Sequence, residues 1–374
     1  MDQRLPQPTV LVAPLDWGLG HATRCIPIIR QLLQRGCTVY IAAEGKIEHL
    51  LRTEFPHLPF LPLQGYRVRY ATTGWGLAAT MLGQLPRLLK KIKEERTWLQ
   101  QTVNRYGIDA VISDNRYGLH HPGVFSVLIT HQLQVQTPWG KVGNALVQRL
   151  LYPYINRFDA CWVPDYAAAP GLGGALSHPA KLPRTPVTYT GPLSRFDAAT
   201  EPLQHYILVL LSGPEPQRTL LEQKLLAQAK AFGQPVLFVR GLPGTVGLPQ
   251  VPYHINIVNH LSANAMQQAL EGAQFVIART GYTTVMELMA LRKRGILIPT
   301  PGQTEQQYLA RLLMQQNRAL CIAQHKFDLE KAVLLAKNFA YQFPHEAENN
   351  ALHEAIDHLL AQTGKQHQNI SNSF

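Results

Sequence analysis

The sequence predicts an α/β protein of two doubly wound parallel-sheet domains facing a central cleft. Three observations carry this. Short β-branched, apolar runs alternate with helical patterns from one end to the other, as parallel strands covered on both faces require. The 374 residues are too many for one ordinary domain and suit two of ~150–200 residues. Strand and helix patterns lapse near residues 192–202, where the halves part.

In the first half, strands are expected at 9–14, 38–43, 109–113, 126–130, 160–164 and 187–191. Between the first two, residues 22–35 place Ile26, Ile29, Leu32 and Leu33 on one helical face and stop at Gly36. In the second half, strands are expected at 206–211, 235–240, 255–258, 275–279, 296–299 and 320–323, with helices at 217–231, 283–291, 305–316 and 328–338. The domains are then 1–197 and 198–345. Residues 346–374 form a last helix returning toward the first domain, ending in a frayed, disordered tail.

Composition excludes several classes. Cys25, Cys37, Cys161 and Cys321 lie far apart with no CxxC pair and no histidine at zinc spacing, so reduced thiols of a cytoplasmic protein are expected. The apolar run 9–14 is too short for a secretion signal, and no run approaches the ~20 residues that span a bilayer. The formal charge of +11 is uneven: residues 1–195 hold 21 Lys and Arg against 11 Asp and Glu, the remainder 14 against 13. A basic half suits an anionic partner. No nucleic-acid motif occurs, so the expected partner is an anionic membrane surface and not nucleic acid. Residues 67–95 fit this, setting Tyr70, Trp75, Leu77, Met81, Leu85 and Leu89 beside Arg67, Arg69, Arg87, Lys90, Lys91 and Lys93. That is the make-up of an interfacial helix, or of a packed helix with a solvated basic end.

The most informative segment, 278–288, runs from a strand through Arg279, Thr280 and Gly281 into a helix bearing Thr283, Thr284 and Glu287. A helix N-terminus offers unpaired amides and partial positive charge to a phosphate. Glu287, about one turn inside, has the chemistry to accept both hydroxyls of a ribose. After the next strand, the loop 301–308 carries the adjacent amides Gln306 and Gln307, which suit sugar hydroxyls because they both donate and accept.

Near the amino end, Asp16-Trp17-Gly18-Leu19-Gly20-His21 links the first strand to the first helix. Gly18 and Gly20 permit a tight loop. A histidine at a helix start is held neutral by the dipole, which suits His21 as a general base. Asp16 is a second candidate base. Arg24, one turn on, is expected to bind an acceptor phosphate or to pair with Asp16. Two later loops follow strands of the same sheet and are expected to rim the cleft on the acceptor side, with Asn115, Arg116, His131 and Gln132. Asp114 suits either a turn cap or chemistry.

The ordered set Thr280, Gly281, Thr284, Glu287, Gln306 and Gln307 resembles the donor-site signature of glycosyltransferase family 28, which includes the N-acetylglucosaminyltransferases acting on lipid I in peptidoglycan synthesis. The Gly18–His21 loop resembles that family's N-terminal Gly-rich loop. The likeness is architectural over about 9–360 and specific only in these short blocks. It implies the GT-B fold of two Rossmann-like domains, the first binding acceptor and the second a UDP-sugar, with N-acetylglucosamine the leading sugar. It further implies that Arg279 flanks the turn, that the backbone of His260 and Leu261 pairs with uracil, and that Arg195 approaches the donor diphosphate. The chain departs from the family at Ser212-Gly213-Pro214-Glu215-Pro216, where a Gly-Gly-Ser type loop is usual. Prolines remove N–H donors there and Glu215 repels phosphate, leaving Ser212 and Gly213 as the remaining candidates, with Arg218 or the Gly281 helix to compensate.

The expected reaction is displacement at the anomeric carbon with inversion, on a lipid-linked or glycan acceptor at the inner face of the plasma membrane. No DxD triplet occurs, so neither a metal ion nor another cofactor is expected, and helix amides, hydroxyls and Arg take the leaving charge. Two rivals stand beside it: a UDP-sugar epimerase of the same fold, and a non-catalytic nucleotide-sugar-binding protein.

Overall fold

A computed structural model describes residues 7–66, 74–196, 206–245, 247–344 and 350–371, with the side chains of 74–82 and 364–371 outside the description. In chain order the first part holds β1 (Thr9–Pro14), α1 (Leu19–Gln34), β2 (Thr38–Ala43), α2 (Gly45–Glu54), β3 (Phe60–Pro62), α3 (Gly74–Tyr106), β4 (Ala110–Asp114), β5 (Phe125–Ile129), α4 (Gly140–Ile155), β6 (Ala160–Val163) and β7 (Val187–Tyr189). The second holds β8 (Tyr206–Leu210), α5 (Gln217–Phe232), β9 (Val236–Val239), β10 (Ile255–Val258), α6 (Ala263–Gly272), β11 (Ala273–Arg279), α7 (Tyr282–Ala290), β12 (Gly295–Ile298), α8 (Thr304–Gln315), β13 (Leu320–Cys321) and α9 (Leu329–Asn338), and α10 (Ala351–Ser371) ends the chain.

Every strand pair is parallel. The first sheet has the order β3-β2-β1-β4-β5-β6-β7 and the second β10-β9-β8-β11-β12-β13. Alternation along β1 shows why both faces are covered. Val10 and Val12 join the core shared with α1, while Leu11 and Ala13 join the core beneath α3. In β8, Ile207 and Val209 face α5 and α9, and Leu208 faces the opposite core with α6 and α7. That opposite core runs unbroken from the first sheet into the second, through Ile26 and Ile29 of α1 and Val285 and Met286 of α7.

The strands anticipated from sequence are present with ends shifted by at most two residues, and β3 is an addition. It is three residues long, ends on Pro62 and lies at a sheet edge, where a missing N–H does no harm. α10 packs on α1 and β5, with Arg35 Nε donating to Asp357 at 2.6 Å and Gln31 Nε2 lying 2.8 Å from His353 Nε2. Most of the basic-aromatic stretch 67–82 lies outside the described side chains. Beyond it, Ile92 is buried while Leu85 and Leu89 are exposed among Arg87, Lys90 and Lys93, so α3 packs on one face and presents a mixed apolar and basic outer face. Among the described residues no helix is long and apolar enough to cross a membrane.

Each strand order reverses direction once, between β1 and β4 in the first sheet and between β8 and β11 in the second. At such a switch point the connections leave on opposite faces and open a crevice beyond the carboxyl ends of the strands. The loops flanking the two crevices are 15–18 with 115, and 211–216 with 280–281.

Candidate active site

The first crevice is built around Asp114, the last residue of β4, paired in register with Pro14 of β1. It is fully buried and reached from α1 by two side chains one turn apart. His21 Nδ1 lies 2.9 Å from Asp114 Oδ2, and Arg24 donates Nε to the same oxygen at 2.9 Å and Nη2 to Oδ1. Arg24 Nη2 also lies 2.8 Å from His21 Nδ1. Burial opposes the Asp114 charge, but Arg24 and His21 outweigh it and hold the carboxyl at about 2. Burial, then Arg24, pushes the His21 pKa below its ordinary value against the pull of Asp114, so the ring is neutral at neutral pH. In the tautomer that donates Nδ1–H to Asp114, Nε2 carries the lone pair.

α1 can begin at residue 19 because Gly18 has φ 147°, a backbone that L side chains rarely adopt. Gly20 serves a different purpose. A Cβ there would lie 2.8 Å from Thr283 Oγ1, so its absence lets α7 of the second domain dock directly on this loop. Thr283 Oγ1 donates to the Gly20 carbonyl at 3.2 Å, and Tyr282 Oη donates to the Pro164 carbonyl at 3.0 Å.

Further ties cross the cleft. His131 Nε2–H donates to Glu305 Oε1 at 2.8 Å, its Nδ1 faces Arg24 Nη1 at 3.4 Å, and its ring stacks on Tyr282 with centroids 4.1 Å apart. Gln132 Nε2 donates to the other Glu305 oxygen at 2.6 Å. Burial disfavours the Glu305 charge, yet the bond and charge of His131, with Arg24 and His21, prevail and lower its pKa. A polar chain therefore runs Glu305–His131–Arg24–Asp114–His21 from one domain to the other. Thr304 adds a bond to the Gln136 carbonyl, and Tyr308 accepts from the Ala175 amide.

On the second domain's side, α7 follows Gly281 with no side chain capping it, so the amides of its first turn have no side-chain cap among the described residues. A Cβ on Gly281 would first meet Thr284 Oγ1, at 3.8 Å, so there is room against this turn. Behind it, Arg279 is buried and donates only to the carbonyls of Gln217 and Ile298. Burial lowers its pKa to about 10, and its Nε, with Thr280 Oγ1, Thr300 Oγ1 and Gln217 Oε1, has no partner among the described residues. Ser212 and Gly213 are exposed at the neighbouring loop, and Glu215 is turned to Arg218, which donates to it at 2.6 Å.

Glu287 is buried on α7 and accepts from Arg195 Nε at 3.0 Å. Burial raises its pKa and Arg195 opposes the rise. Arg195 also reaches His260, whose pKa is lowered first by burial and then by this charge, so residues 195, 260 and 287 share one region; Leu261 packs against the core beside it.

Other residues named from sequence lie elsewhere. Asp16 accepts from the Tyr66 amide at 2.9 Å. Arg116 is 1% exposed and bound to Glu95 at 2.8 Å and to the carbonyls of Pro14 and Gln64. Asn115 has φ 55° at the turn after β4, and its amide donates to the Ile129 carbonyl. Gln306 is held within its own loop by the Thr300 amide and Gln303, while Gln307 lines a groove with Pro301, Arg311 and Cys321. Two residues of the polar chain went unassigned by sequence reasoning. Asp114 stood open between cap and chemistry, and Glu305 had no role assigned to it. The available signal for Asp114 was its place at the carboxyl end of the strand beside β1.

Residues 254–362 match the family model of the glycosyltransferase family 28 C-terminal domain. A 72-residue segment is 40% identical to the UDP-N-acetylglucosamine–N-acetylmuramyl-(pentapeptide) pyrophosphoryl-undecaprenol N-acetylglucosamine transferase of Histophilus somni, covering 19% of this chain and 20% of that protein. A Methanosarcina acetivorans protein, named as an uncharacterized glycosyltransferase, is 24% identical over 323 residues, covering 80% of this chain and 81% of its own. Among solved structures, the glycotransferase of kitacinnamycin has TM-score 0.62 at 15% identity over 97% of both chains. MurG of Acinetobacter baumannii has 0.55 at 15% identity, over 95% of this chain and 100% of that one. At these identities the structures speak for the fold, two facing α/β domains.

Proposed function

Because the chain is a glycosyltransferase of family 28 with the GT-B fold, we propose that it moves a sugar from a UDP-sugar to an acceptor hydroxyl across this cleft. N-acetylglucosamine is the sugar and a lipid-linked or glycan molecule the acceptor, a reading supported by the name of the Histophilus somni relative. The observation that carries the chemistry is the His21–Asp114 pair set opposite the uncapped start of α7.

The acceptor oxygen attacks the anomeric carbon while His21 Nε2 takes its proton. The bond from that carbon to the β-phosphate oxygen breaks on the opposite face, so configuration inverts and UDP leaves with the electron pair. Asp114 fixes the His21 tautomer and stabilises the imidazolium as it forms. The amides of the first α7 turn, the hydroxyls of Thr280 and Thr284, and Arg195 take the charge on the diphosphate. Glu287 receives the ribose hydroxyls, and the backbone at His260 and Leu261 receives the uracil.

The acceptor is met at an anionic membrane surface, with the protein peripheral on the inner face of the plasma membrane. α4 supports this. Val142, Leu146 and Leu150 are 82, 60 and 61% exposed along one face, and Trp139 stands at its start. The helix contains Lys141 and Arg149 and no acid, and exposed Lys181, Leu182 and Arg184 lie on the loop bonded to Tyr152 and Gln148. Apolar side chains ringed by cations suit a bilayer with anionic headgroups. Trp139 is three residues from Gln136, whose carbonyl holds Thr304 across the cleft.

The test is UDP release from UDP-N-acetylglucosamine with polyprenyl-pyrophosphate-linked glycans as acceptors. Wild type turns over, and His21→Ala collapses turnover while UDP affinity stays nearly intact. UDP binding without transfer to any acceptor would favour a binding protein, and epimerised donor formed without acceptor would favour an epimerase.

A further inference from the structure

We propose that Arg195 makes the donor pocket selective for ligands bearing a diphosphate, by holding Glu287 until an anion draws the guanidinium away. The inference rests on the reading that Glu287 receives the ribose. In the structure that carboxylate is already taken: Arg195 Nε donates to it at 3.0 Å, and the two side chains are 10% and 8% exposed. A nucleoside therefore meets an occupied acceptor. To bind, it must break a buried ion pair and leave a buried guanidinium with no anion, which is costly. A nucleoside diphosphate brings the replacement anion with it, and Arg pairs with phosphate bidentately.

The geometry suits an exchange and not a fixed strut. The Arg195 backbone is anchored, its carbonyl accepting from Arg30 Nη1 at 2.9 Å. The side chain has one bond to Glu287 and otherwise lies over the Phe196 ring, its guanidinium carbon 4.5 Å from the centroid. Glu287 is six residues beyond Gly281 on α7, which places it roughly 9 Å from the phosphate-accepting end at 1.5 Å rise per residue. A rotamer change in a long side chain covers such a shift. Once Arg195 moves to the diphosphate, the two sites fill together: the anion is clamped and the carboxylate is free for the sugar ring of the nucleotide.

Calorimetric titration of the full chain with uridine, UMP and UDP tests this, comparing wild type, Arg195→Met and Arg195→Lys. Arg195→Met is expected to bind UDP at least ~10-fold more weakly and uridine several-fold more tightly, so the preference for UDP collapses, whereas Arg195→Lys keeps part of it. In a Glu287→Gln background, Arg195→Met still weakens UDP but no longer improves uridine. Equal weakening of uridine and UDP by Arg195→Met, or unchanged UDP affinity, overturns the proposal. Should Arg195→Met fold poorly, the comparison is read in Arg195→Lys, where a reduced preference for UDP over uridine supports the proposal and equal weakening of both overturns it. GDP and dTDP are titrated with their nucleosides in parallel. If wild type prefers one of these, the uracil assignment fails while the exchange is read on that pair; if it binds no nucleoside diphosphate, both the donor reading and the exchange fail.

Discussion

Asp114 acts on its neighbours more than on any ligand. By its charge it raises the His21 pKa against burial and Arg24, and removing that charge lowers it further. With the neutral ring as the proposed base, activity is expected to fall as pH drops through the His21 pKa. Asp114→Asn is therefore expected to cut kcat by ~10²–10⁴-fold, the usual worth of a well-set base, and to move the acid limb of kcat/KM to lower pH. An unmoved limb would dissociate Asp114 from the base. The same carboxylate bears on stability. Its folded pKa of about 2 lies below the ordinary 3.8, so the stabilisation is full above 3.8 and is lost as pH falls toward 2. That Asp114 meets His21 was not legible in the sequence, because the two lie 93 positions apart and only the strand order brings them together. The strand-turn-helix at Gly281 was legible because Thr280, Gly281, Thr284 and Glu287 are close along the chain and a single local unit places them.

Between α1 and α7 the deciding feature is the missing Cβ at Gly20. Gly20→Ala would press on Thr283 Oγ1 from 2.8 Å and on its Cβ from 3.2 Å, forcing the two helices apart. The expected result is a loss of kcat/KM of ~10-fold or more with little change in Tm, since a 1 Å misplacement suffices for that. Thr283→Ala added to it should restore part of the activity. No recovery would mean the glycine serves the loop alone. On α4, Leu146→Glu with Leu150→Glu should abolish binding to anionic vesicles and spare turnover of a soluble acceptor; retained vesicle binding would move the membrane contact elsewhere. Elements of this kind were readable wherever the hydrophobic period was long enough to declare itself, as in α1. β3 was not, since three residues ending on proline carry no period.

Across the whole molecule, one carboxylate spans the domains. Glu305 takes His131 and Gln132 on separate oxygens, and its lowered pKa keeps it ionised to below pH 4.5. The stabilisation it lends to closure is present above that pH and lost as pH falls further. Glu305→Ala is expected to open the cleft, seen as a larger radius of gyration in solution scattering and a raised KM for donor and acceptor together. Unchanged scattering would assign closure to Tyr282, Thr283 and Tyr308 instead. Sequence reading separated the halves and set their order, but the face each turned to the other lay beyond it, because Glu305 and His131 stand 174 positions apart.

α10 ends the chain on α1, beside the sheet where the chain began. The polypeptide thus passes between the lobes twice, once leaving the first sheet and once coming home. The second crossing ends in packing, since Ala355, Ile356 and Leu359 of α10 enter the same core as Ile26 and Ile29, so the last helix is fastened to the first lobe by buried side chains as well as by the chain.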